Sequence, residues 1–115
     1  MLAPRNFDDL ITQANNENLY VKLVRQLNKD FLLANIDLDF DEDILPTSLK
    51  LILHETIFHL IQEKFTDYLN LLYIIDVSES KIRKLDGNDT LKLSEEVTFL
   101  ILQRVWQKVW YKKHY

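Results

Sequence analysis

Over most of the chain, apolar residues recur every three to four positions, the spacing of a helix that buries one face. Phe7, Leu10, Ile11 and Ala14 form the first such stripe, with Asn6 placed as an N-cap and Asp8 and Asp9 at the positive helix end. A helix over 7–14 follows. Tyr20, Leu23, Val24, Leu27 and Phe31 make a second stripe, opposite the polar face of Lys22, Arg25, Gln26 and Lys29, and predict a helix over 17–33.

Residues 34–46 change period. Ile36, Leu38 and Phe40 alternate with Asp37, Asp39 and Asp41, which predicts a short extended acidic segment near 36–43, closed by Pro46. Helical spacing then resumes from 47 to 75. Those 29 residues would measure about 43 Å if unbroken, against about 34 Å across a compact domain of this length, so a bend is expected between Lys64 and Asp67. Asp76 and Glu79 have the spacing of a capping box for a short helix over 77–85. Asp86-Gly87-Asn88-Asp89 reads as a turn, and a last helix is expected from Ser94 to Lys112 or Lys113.

The pattern predicts an all-α fold. It is a single domain, 1–115, built as an irregular antiparallel bundle of four to five helices. Its expected core is Leu23, Leu27, Phe31, Leu53, Ile57, Ile61, Phe65, Leu72, Ile101, Leu102, Val105 and Val109. Composition agrees. Leu and Ile supply 31 of 115 residues and Ala only three, so the core must come from large aliphatic groups. A single Gly leaves too few turn and phosphate-loop glycines for an all-β or Rossmann-like chain. The absence of Cys removes disulfides, thiolate catalysis and Cys-based zinc sites. Residues 1–5 lack the apolar core of a signal peptide, and no apolar run approaches the roughly 20 residues of a membrane span. A soluble, cytoplasmic protein is expected.

The net charge of −4 is unevenly spread. Residues 1–80 carry 14 acidic and 6 basic side chains, residues 81–115 carry 4 and 8. Arg104, Lys108, Lys112 and Lys113 form a basic patch on the last helix, which also carries Trp106, Trp110, Tyr111 and Tyr115. Base plus aromatic is the composition of a nucleic-acid surface. The helical spacing, however, sets the basic stripe and the tryptophans on nearly opposite sides. The tryptophans are then core or interface anchors, and the lysines are solvated or paired with the acidic part of the chain.

Other chemistry is sparse. His54 and His59 are five apart, about 140° around a helix, and cannot close on one metal from one helix as H-E-x-x-H does. His54 is expected on the apolar side and His59 on the polar side with Glu55 and Glu63. Asp37 to Asp43 approximates a calcium loop, but Glu42 stands where the EF-hand needs its glycine and Ser48 where it needs the bidentate glutamate. The segment reads instead as an acidic loop whose Ile36, Leu38 and Phe40 dock on the core. Ser48, Ser78, Ser80 and Ser94 stand at expected helix starts, where capping accounts for them. No catalytic residue, cofactor or metal site is assigned.

The stretch Leu71-Leu72-Tyr73-Ile74-Ile75-Asp76-Val77-Ser78-Glu79, with Leu93-Ser94-Glu95-Glu96-Val97 and Gln107-Lys108-Val109-Trp110, resembles small all-helical bacterial proteins to which no activity is assigned. The similarity covers the last third to half of the chain. It implies a bacterial cytoplasmic protein and brings no site residues.

Bulky groups thus cover more than one face of the 47–75 and 94–113 helices, more than a lone body of this size is expected to hide. This points to a non-enzymatic protein–protein interaction module, self-association included, with a protein partner or homo-oligomer as its complex. Trp106, Trp110, Tyr111, Phe58 and Tyr73 are the interface candidates. The alternative is a nucleic-acid-binding accessory protein using 81–115. A membrane surface is not expected to bind it, because anionic lipid would repel the acidic bulk.

Overall fold

A computed structural model of the chain describes residues 2–115, and they form an all-α body. Its helices are α1 (Phe7–Asn16), α2 (Tyr20–Leu33), α3 (Pro46–Glu63), α4 (Phe65–Ile75), α5 (Glu79–Arg83) and α6 (Thr90–His114). Six helices stand among the described residues, where four to five were expected. The excess comes from the break between α3 and α4.

That break sits at Lys64, whose backbone (φ −142°, ψ 60°) leaves the helical region for one residue. It is the bend that the length of the 47–75 stretch demanded, and the body measures only 36 × 27 × 25 Å. Because the helix restarts there, its phase resets. Phe65, expected in the core as a continuation of the Phe58 and Ile61 stripe, is instead 53% exposed. Tyr68, Leu71, Leu72 and Ile75 carry the buried face of α4.

Long α6 is the centre of the packing and touches α1, α2, α3 and α4. It begins at Thr90, not at Ser94. Asp89 is its N-cap, its carboxylate accepting from Lys92 N at 3.2 Å. Val97, Ile101, Leu102, Val105, Trp106 and Val109 are buried on it. A helix that packs against four others is covered on more than one side, so its buried apolar residues spread around it. Of the large apolar residues of 94–113, only Tyr111 is exposed, at 44%; the chain itself covers most of the apolar surface of this helix.

Three corners, Asn18, Asn35 and Asp76, take the left-handed conformation. Asn and Asp tolerate it better than other residues with a side chain, and here they do the work that glycine does elsewhere. Asp76 thus ends α4 and is not the cap of α5, whose N-cap position is Ser78.

The 36–43 segment pairs with no strand and is not extended throughout: Leu38 N donates back to Ile36 O at 2.9 Å, and residues 42–43 form a turn closed by Ile44 N donating to Asp41 O at 3.1 Å. Ile36 and Leu38 are half-buried, Phe40 is buried, and Asp37, Asp39 and Asp41 face water. Asn28 of α2 holds it in place. Its amide donates to Phe40 O at 2.9 Å, and its Oδ1 accepts from Phe40 N at 2.8 Å. Tyr20 Oη donates to Ile44 O at 2.6 Å, and Arg25 pairs with Glu42. One side chain from α2 thereby replaces the ladder that a neighbouring strand would supply.

Candidate functional site

Four places could carry function: the basic end of α6, the aromatic residues, the pair formed by His54 and Ser94, and the outer side of α4.

The basic residues of α6 point their bonds inward. Lys108 Nζ lies 3.0 Å from Asp30 Oδ2, and Gln26 Nε2 donates to the other Asp30 oxygen at 3.0 Å. Lys112 donates to Gln26 Oε1 at 2.9 Å. Lys113 donates to Glu17 O and Oε2 at 2.8 and 3.1 Å, and His114 Nε2 lies 3.1 Å from the same Oε2. Lys113 first, and His114 with it, hold the Glu17 carboxyl below the usual carboxylate range. Arg104 donates to Asp76 O and Oδ2 at 3.1 and 3.0 Å. Three cations of α6 are thus paired with acidic residues of the first 80 positions within one molecule. A phosphate backbone would have to compete with carboxylates for Arg104, Lys108 and Lys113, and with the Gln26 amide oxygen for Lys112.

The five interface candidates divide. Trp106 is fully buried, and its Nε1 donates to Gln13 Oε1 at 3.2 Å. It is a core residue tying α6 to α1 and offers nothing to a partner, which corrects its place among the interface candidates. Trp110 is half-buried and stacks on His114 at 4.0 Å between ring centroids. Tyr111 and Tyr115 add edge contacts at 5.3 and 6.3 Å, so this cluster is largely satisfied by its own members. Phe58 is half-buried. Tyr73 alone among the five stands almost free, 82% exposed.

His54 of α3 meets Ser94 of α6, with Nε2 2.7 Å from Oγ. A serine beside a histidine invites a nucleophile reading. The rest of the network denies it. Ser94 Oγ donates its proton to Leu91 O at 2.7 Å, so it accepts from His54 Nε2 rather than giving a proton to it. Ser94 is also completely buried. The pair joins α3 to α6 at a cleft of about 650 Å³, which His54 itself lines together with apolar groups such as Phe7 and Phe99 and charged ones such as Lys50 and Glu95. His59, Glu55 and Glu63 are exposed on the other side of α3.

The outer side of α4 was not singled out by sequence reasoning, Tyr73 apart. Phe65, Leu69 and Tyr73 are 53%, 51% and 82% exposed and follow one another at one-turn spacing. They occupy an arc of about 80° on the helix. The helix carries one charged residue, Asp67, and no cation. That scarcity of charge over eleven residues was the available signal. It was hidden because Phe65 had been assigned to the core.

No helix among the described residues is long and apolar enough to cross a membrane. The chain matches no protein-family profile, no characterised protein and no solved structure.

Proposed function

We propose that the chain is a non-enzymatic protein–protein interaction module whose contact face is the outer side of α4. The observation that carries this reading is the row of Phe65, Leu69 and Tyr73, open to water on a helix without a cation. Single exposed apolar residues are ordinary. Three in line, two of them aromatic, make a continuous patch of the kind that marks interaction sites, and Tyr is among the residues that dominate binding energy.

Two further observations support it. The cations on which a nucleic-acid reading depends are engaged by carboxylates and carbonyls of the same chain. The hydroxyl nearest a histidine is buried with its proton committed. A cytoplasmic setting suits a chain without cysteine.

The test is photo-crosslinking in cells. A Tyr73→p-benzoylphenylalanine variant should form crosslinks to protein, while the same replacement at Lys22, on the exposed side of α2, should not. No crosslinked product from position 73 would overturn the reading.

A further inference from the structure

We infer that the occupant of the α4 face is a second copy of this chain, held by antiparallel pairing of two α4 helices about a two-fold axis at Leu69. This rests on the interaction reading above and names its partner.

The stripe is symmetric in kind about its midpoint. Leu69 has an aromatic residue one turn to each side, Phe65 and Tyr73. A two-fold contact pairs a surface patch with itself. With two α4 helices antiparallel, Leu69 meets Leu69, and Phe65 of each copy meets Tyr73 of the other. Both aromatic pairs form at once, in a geometry where rings of unlike polarity pack offset or edge to face.

Charge leaves this face open to the same occupant. The chain carries −4, so two copies repel over most of their surfaces. Their approach is least opposed where the contact excludes like charges. Asp67 lies about 160° around α4 from Leu69, outside the contact arc. A partner recognised through acidic groups would find no cation on this helix, and one recognised through basic groups would find a single carboxylate turned aside.

Size points to a weak, reversible contact. Two aromatics and a leucine with flanking Thr66 and Asn70, on a helix about 16 Å long, can bury at most about 1,000 Å² over both copies, the size of a weak or transient contact. Dissociation in the micromolar range is expected.

The chain has no cysteine, so introduced thiols are the only ones present. Leu69→Cys should oxidise to a covalent dimer. A mixture of Phe65→Cys and Tyr73→Cys should give the mixed dimer in preference to either self-pair. In sedimentation velocity between roughly 1 and 200 μM, the wild type should rise from 13.8 kDa towards twice that mass. Leu69→Lys should stay monomeric with unchanged far-ultraviolet circular dichroism. A wild type that stays monomeric, with no Leu69→Cys dimer, overturns the proposal. So does preferential self-pairing by Phe65→Cys and Tyr73→Cys, which would mean parallel helices. A monomer whose position 73 crosslinks a different protein sinks the second copy and leaves the interaction reading standing. Absence of any crosslink sinks both.

Discussion

The Lys108 ammonium lies 3.0 Å from a carboxylate oxygen of Asp30, and Asp30 is only 3% exposed. The two residues are 78 positions apart, and their bond ties α6 to α2. Burying a carboxylate costs several kcal/mol unless a partner compensates it. Lys108 and Gln26 together meet both Asp30 oxygens.

Removing the cation should therefore act on stability. Lys108→Ala is expected to lower the unfolding free energy by about 3 kcal/mol, because it strands the Asp30 charge. The double variant Asp30→Leu with Lys108→Met should recover most of that loss. Urea unfolding of the three proteins checks it. A Lys108→Ala protein as stable as the wild type would mean that Asp30 is hydrated after all.

Asn28 should matter more than an exposed-face asparagine ordinarily does. Asn28→Ala removes both bonds to the Phe40 backbone and is expected to cost about 2 kcal/mol. Amide exchange at Phe40 should accelerate with it. Asn28→Asp keeps an acceptor for Phe40 N but cannot donate to Phe40 O, so it should fall between the two.

Ser94 makes a contrasting case. Ser94→Ala leaves the His54 Nε2 proton without its acceptor, at an expected cost of about 1–2 kcal/mol. A fluorophosphonate that labels activated serines should leave Ser94 of the wild type unmodified. Labelling there would contradict the direction assigned to the bond between Ser94 and Leu91.

The tyrosines predict the alkaline limit. Burial pushes the Tyr20 and Tyr68 phenols above their ordinary value. A raised folded pKa favours the neutral form in the folded state. Its contribution is complete below the ordinary phenol value and is lost as pH rises through the raised one. Stability should fall above about pH 10. Phenolate absorbance should show a late phase that Tyr20→Phe reduces. At the acid end, the lowered Glu17 carboxyl contributes only above its ordinary value, and that contribution disappears as pH falls through the lowered one. Exchange at the last turn of α6 should then quicken.

How far the sequence led depends on the range of the interactions concerned. The α1 stripe and its Asn6 cap were legible because each is set by neighbours within a few residues; the alternation of 36–41 was legible too, but the α2 side chains that hold the segment lie 12 to 24 residues away and were not. Asn6 Oδ1 indeed accepts from Asp9 N at 2.8 Å. The bend at Lys64 was legible from length alone. Ser94 misled, because a serine before Glu95 and Glu96 looks like a helix start. In the interior of α6 it bonds back to Leu91 O instead, which local pattern cannot distinguish. Trp106 misled for a different reason. The number of helices around α6 decides whether a tryptophan on it is covered, and no spacing along one helix carries that number. The contacts of Lys108 and Lys113 cross 78 and 96 residues and belong to the tertiary structure alone.

The corner at Lys64 has one more effect. Without it, α3 and α4 would be a single rod longer than the whole molecule, and the ring of Phe65 would continue the inward row begun by Phe58. Folding back at that residue shortens the rod and rolls the ring outdoors in the same stroke. Compactness and the exposure of that ring thus share one joint, and a change that straightened it would alter the outline of the molecule and the aromatic row on α4 together.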